Sequence, residues 1–134
     1  MVCQHRALRE DLYESESVLN QYKEKVIEIV VEPMISFMED WDDCDYTSED
    51  VETCKSLIYT YLEALASMTE PSDEAIMDQV KTLVLALNDL NETVDYSLIE
   101  TDAREAIWEV IQTSAIDCGL KEYGDDITEE WREW

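Results

Sequence analysis

Positive charge is what this sequence has least of relative to its size. Its 134 residues carry nine Lys and Arg against 34 Asp and Glu, a net charge of −25. Nine scattered cations exclude direct binding to nucleic acid, where affinity comes largely from clustered Lys and Arg that neutralise phosphates. They disfavour anionic membrane surfaces for the same reason. Histidine occurs once, as His5. A Cys-His or Ser-His nucleophile pair has no base elsewhere in the chain, and a di-iron site lacks its Glu-x-x-His ligands. Two glycines and two prolines argue against a glycine-rich phosphate loop and against an all-β sandwich, whose many turns need both residues. None of Cys3, Cys44, Cys54 and Cys118 forms a C-x-x-C pair, so a zinc knuckle and a thioredoxin motif are absent. The apolar stretch 26–38 is interrupted by Glu28 and Glu32 and is too short to span a bilayer. Met-Val-Cys-Gln-His-Arg at the start lacks the apolar core of a signal peptide, and a reducing, cytoplasmic setting is expected.

Apolar residues are not scarce. They make up 46% of the chain, which excludes a wholly disordered acidic polymer. A chain of this length buries about two thirds of its surface on folding without disulfides or metals. A single helical domain over 1–134 is expected, with 1–7 frayed and 121–134 docked as a tail.

The periodicity is helical throughout. Leu8, Leu12, Leu19, Tyr22, Val26 and Ile29 recur at three- and four-residue steps and predict a long first helix over about 8–41. Pro33 has no N–H for the carbonyl of Ile29, so a kink or break is expected there. Beyond it Met34, Ile35, Phe37, Met38 and Trp41 are read as the continuing apolar face. The acidic stretch 39–46 is expected to be a loop. Thr47 or Ser48 caps a second helix ending near Met68, with Val51, Cys54, Leu57, Ile58, Tyr61, Leu62 and Leu65 inward. Ser72 opens a third, carrying Ile76, Val80, Leu83, Val84, Leu87 and Leu90 and ending around 88–91. Ser97-Leu98-Ile99-Glu100 has the capping-box pattern and predicts the start of a fourth. That helix is lined by Ile99, Ala103, Ala106, Ile107, Val110, Ile111, Ser114, Ala115 and Cys118. Gly119 stands at its left-handed cap with Leu120 folding back. Asp126, with Glu129 as its partner, is expected to cap a short terminal turn that docks Trp131 and Trp134. The fold class is all-α: a four-helix, at most five-helix, bundle with a long Pro-kinked first helix and a short C-terminal helical tail.

Two carboxylate patterns bear on chemistry. Glu49 and Glu52, then Glu70 and Asp73, resemble in spacing the paired acids with which all-α nucleotide pyrophosphohydrolases hold Mg²⁺. The second pair straddles Pro71, and no cation stands nearby for phosphates. An EF-hand loop from Asp43 fails, because Ser48 falls where glycine is required and Cys54 where glutamate is required. Neither pattern leads to a metal site or a cofactor. Charge is uneven: 39–52 holds eight acids and no base, and 117–134 holds seven acids and two bases. If these neighbour each other, one end of the molecule is strongly negative and steers a cationic partner. Self-repulsion at −25 also predicts a melting temperature that rises with NaCl, since salt shortens its reach.

The segments 87–92, 99–107 and 126–134 resemble small acidic bacterial proteins of unassigned function, whose compact acidic character is similar to that of immunity proteins that neutralise a toxin. The resemblance implies a type of protein and transfers no functional residue. The expected function is a non-enzymatic acidic protein, monomeric or dimeric, that binds a basic protein such as a toxin. The expected binding residues are Asp40, Asp42, Asp43, Asp45, Glu49 and Asp50 for electrostatics, with Trp41 and Tyr46 as anchors. One alternative is a DNA mimic, since 25 charges match roughly 40 Å of duplex. The other is the Mg²⁺-dependent pyrophosphohydrolase.

Overall fold

Periodic apolar stripes separated by short polar links make helices that turn back on one another, and the computed structural model has that form. It describes residues 18–41 and 43–134; the expectations for 8–17, for the frayed 1–7, for Cys3 and His5 and for Asp42 lie outside the described residues. The first helix, α1, covers 18–40 and contains a π-helical stretch, Ile27–Val31, followed by α-helix over Glu32–Asp40. Then come α2 (Ser48–Ala66), α3 (Asp73–Thr93) and α4 (Thr101–Cys118). The described residues contain no strand.

Side-chain contacts give the directions. Tyr59 of α2 donates to the carbonyl of Lys23 at 3.3 Å, and Tyr46, just before α2, donates to that of Met34 at 3.1 Å. So α1 and α2 are antiparallel. Tyr22 of α1 bonds Asp117, and Lys25 pairs with Glu109, so α1 is antiparallel to α4 as well. Tyr61 of α2 donates to the carbonyl of Ile111 at 3.0 Å, in the middle of α4. α2 packs on all three other helices, and α4 packs on α1 and α3. One end of the molecule, here the upper end, therefore collects the ends of α1 and α3 and the starts of α2 and α4.

Pro33 neither breaks α1 nor leaves it a plain α-helix. Glu32 N–H reaches back five residues to the carbonyl of Ile27, and this wider turn precedes the ring that would otherwise crowd the carbonyl of Ile29. It also aligns the core. Val26, Val30 and Met34 are buried at steps of four. In a uniform α-helix each such step overshoots a full turn by about 40°, and the wider π turn takes back that drift. The inward stripe thus passes through Val30 and Met34. Ile35 and Met38 are half-buried, while Phe37 and Trp41, expected on the apolar face, are 42% and 60% exposed.

The other faces follow their periodicity. Val51, Cys54, Ile58, Tyr61, Leu62 and Leu65 from α2 meet Ile76, Val80, Leu83, Val84 and Leu87 from α3 and Ile107, Val110, Ile111 and Ala115 from α4 in one buried cluster. Cys118 is half-buried against that cluster. Thr47 and Asp50 form a reciprocal capping box on α2, and Ser72 accepts from the Ala75 N–H at 3.1 Å. At the end of α4, Gly119 sits at φ 119°, Leu120 N–H reaches the carbonyl of Ala115 at 3.1 Å, and the Leu120 side chain is buried. This is the expected left-handed cap.

Two boundaries differ from expectation. α3 continues to Thr93. α4 begins at Thr101, not at Ser97, and its cap residue Glu100 makes no side-chain capping bond. The reason is Asn91. Its buried side-chain oxygen accepts the N–H groups of both Leu98 (3.1 Å) and Ile99 (3.0 Å), so those donors are satisfied without a helical turn.

The C-terminal segment is held by the same device. Asp73 accepts the N–H groups of Lys121 and Glu122 at 2.9 and 3.0 Å. Gln112 donates to the carbonyl of Gly124 and accepts from Ile127. Asn88 donates to the carbonyl of Trp131 and accepts from Glu133. Residues 127–131 form a turn in which Asp126 accepts from Thr128 N–H at 2.9 Å; Thr128, not Glu129, answers this cap. Trp131 and Trp134 lie against the core, as expected of a docked tail.

Candidate functional site

The up-and-down course of the chain gathers acids that are distant in sequence. Asp40, Asp43, Asp45, Glu49 and Asp50 come from the end of α1 and the start of α2. Glu100 and Asp102, which open α4, line the same groove as Phe37 and Tyr46. The sequence left open whether 39–52 neighbours 117–134; the structure puts residues 97–103 beside the end of α1. Asp117 stands at the lower end beside Tyr22, and only the last residues of the tail rise along α3. Ion pairs among the described residues join Lys23 to Glu63, Lys25 to Glu109, Lys55 to Glu52 and Arg132 to Asp126. None of these reaches an acid of 39–50 or 94–102, although Lys55 holds Glu52 one turn into α2 and Arg104 stands in the first turn of α4; among the described residues the upper end keeps an excess of negative charge.

The expected binding residues divide by what their side chains already do. Asp40, Asp43, Asp45 and Glu49 are exposed. Asp50 is occupied by the capping box, taking the N–H of Thr47 at 2.9 Å. Trp41 is extended backbone just past α1, with its ring largely in solvent. Tyr46 is buried at 5% exposure with its hydroxyl on Met34. Burial first, then the neighbouring Cys44 and Glu100, push that hydroxyl well above the usual tyrosine range. Tyr46 is therefore a core residue that fixes the loop to α1, and the surface aromatic beside Trp41 is Phe37. The Phe37 ring stacks between the two, 5.9 Å from Trp41 and 6.2 Å from Tyr46. This buried-to-exposed series carries an apolar surface out of the core into the acidic end.

Below Phe37 lies a groove of about 490 Å³ between α1 and the start of α4. Ile29, Val30, Pro33 and Met34 line it from α1, and Ser97, Leu98 and Ala103 from the other side. The π turn and Pro33 shape one wall. The Asn91 clamp shapes the other by holding 98–100 off the helix. Sequence reasoning missed Glu100, Asp102 and the groove. Phe37, four residues before Trp41, carried a signal in its spacing, because such residues share a helix face.

A second cleft, of about 330 Å³, lies at the lower end between α1, α2 and α4 and is bordered by Val18, Tyr22, Leu62, Met68 and Cys118. Tyr22 donates to Asp117 there. Its hydroxyl is pushed up to about 12, by burial first and then by Asp117.

The paired acids do not converge. Glu49 and Glu52 start α2 while Glu70 and Asp73 follow its far end, about 28 Å away at the rise of an α-helix. Asp73 is already committed to the tail. Among the described residues no three His, Cys, Asp or Glu side chains are grouped so as to hold a metal ion, and no helix is long and apolar enough to cross a membrane. In comparison with known proteins, the chain matches no protein family, curated protein or solved structure.

Proposed function

We propose that this protein is a non-enzymatic acidic binding protein that engages a basic protein, acting as an inhibitor or immunity factor against a toxin. The observation that carries the reading is the Phe37–Trp41 stack, exposed beside Asp40, Asp43, Asp45 and Glu49, which have no ion-pair partner among the described residues. Uncompensated charge steers a cationic protein at long range. Desolvated aromatics supply the short-range energy that charge alone lacks. The helices act as a bundle scaffold that holds this end rigid, and the protein works in the cytoplasm.

The test is affinity capture from the source lysate at low salt, run in parallel with the Phe37→Ala/Trp41→Ala double variant, and then reconstitution with the purified partner. The expected result is a basic protein held by the native chain and lost from the variant. Recovery of no basic protein would overturn the reading.

A further inference from the structure

The groove between α1 and α4 adds a shape to the charge. We infer that it seats one face of a cationic amphipathic helix belonging to the basic partner, an inference that rests on the function proposed above. Its volume, about 490 Å³, is within the roughly 300–1,000 Å³ typical of ligand-sized clefts. Its floor is apolar, from Ile29, Pro33, Met34, Leu98 and Ala103, and Phe37 forms a lip that is 42% exposed. Nothing in the described chain covers that lip.

Charge decides the sign of the occupant. Glu100 and Asp102 stand on one wall, Glu32 is exposed on α1, Asp40 ends that helix, and among the described residues no Lys or Arg lines the groove. An apolar segment flanked by acids would be repelled, whereas one flanked by Lys and Arg pairs on both sides. Geometry decides the form. Peptides that bind by strand addition need an open strand edge, and the described residues contain no strand. One wall here is a helix and the other the start of a helix, the setting in which side-chain ridges interdigitate. From Ile29 to Phe37 the wall is about 12 Å long at helical rise, or two turns. The occupant therefore presents apolar residues at i, i+3 or i+4, and i+7, with cations outside that stripe.

The test titrates the ¹⁵N-labelled full chain with a synthetic peptide carrying leucines on one helical face and lysines on the other. A scrambled peptide of equal composition and charge is the control. Amide shifts are expected at Ile29, Phe37, Leu98 and Ala103, with tighter binding of the amphipathic peptide. Phe37→Ala, at an exposed site, is expected to weaken binding about tenfold, as for a modest interface anchor. The pair Glu100→Gln/Asp102→Asn should weaken it several-fold in low salt, and Glu122→Gln/Asp125→Asn should not. Thermal melts confirm that each variant folds. If both peptides bind equally and Phe37→Ala changes nothing, or if the shifts fall on the lower cleft, the groove is not the seat, although the attraction to basic partners stands. If neither peptide binds at low salt, both readings fall.

Discussion

Two acidic segments of this chain carry tryptophan, and they end in opposite states. In 39–52, Trp41 stands largely in solvent, and among the described residues the loop is tied down by Tyr46, half-buried Cys44 and the Thr47–Asp50 capping box. In 117–134, Trp131 and Trp134 lie on the core, and three polar side chains of α3 and α4 clasp the backbone at Lys121 and Glu122, at Gly124 and Ile127, and at Trp131 and Glu133. Charge is therefore not what separates a docked segment from an exposed one. The difference is whether the buried amides Asn88 and Gln112 and the half-buried carboxylate Asp73 receive the segment's backbone groups, which otherwise would need water.

The strongest challenge to this contrast is removal of a clamp. Asn91→Ala leaves the buried N–H groups of Leu98 and Ile99 without an acceptor. An expected loss of about 3 kcal/mol would appear as a lower urea midpoint, and the groove wall at 97–100 would lose its amide protection. A loss of less than about 0.5 kcal/mol would mean that the clamp does not organise that link.

Asn88→Ala addresses the tail directly. It removes the partners of Trp131 and Glu133 at a cost of about 2 kcal/mol. Tryptophan emission should shift to the red as Trp131 and Trp134 lose their packing. Unchanged emission would show that the rings dock by themselves.

The core sharpens the contrast along a pH axis. Cys54 is fully buried, and burial pushes its thiol up from 9.0 to about 12. Tyr22 is pushed up from 10.0 to about 12 by burial and then by Asp117. Both groups are neutral acids that lose their protons more readily when unfolded. Their contribution is fully present below pH 9 and declines as pH rises from 9 towards 12, at up to about 1.4 kcal/mol per pH unit for the buried Cys54 and by less for Tyr22, whose ring is partly in solvent. Denaturation curves across that range should show the decline, with a shallower slope in Cys54→Ala. An equal slope would remove the thiol from the account.

The smallest expected effect belongs to the exposed segment. Trp41→Ala should change stability by no more than about 0.5 kcal/mol, against the large cost at Asn88. A larger loss in its thermal melt would mean that Trp41 is a structural residue and the contrast is false.

Most helices are legible in the residues because a buried face must repeat with the helical turn. Cys54, Ile58 and Leu62 on α2, or Ile107, Val110 and Ile111 on α4, are buried where their spacing predicts. The start of α4 is not legible. Ser97 and Glu100 satisfy a local pattern, but an acceptor seven and eight residues back takes the N–H groups that begin the helix in that pattern. Phe37 illustrates the same limit. Its spacing places it on an apolar stripe, and the π turn before Pro33 directs that stripe through Met34 instead.

By itself the sequence determined the helical class, most of the inward faces, the caps at Ser72 and Gly119, the cap at Thr47 or Ser48, and the excess of negative charge. These depend on period, on residues within a turn of one another, and on counting. Only the tertiary structure decided which acids share an end, which aromatics reach solvent, and that a groove opens between α1 and α4. Those depend on contacts between residues far apart in the chain, such as Met34 with Tyr46 and Asn88 with Trp131, which no local spacing encodes.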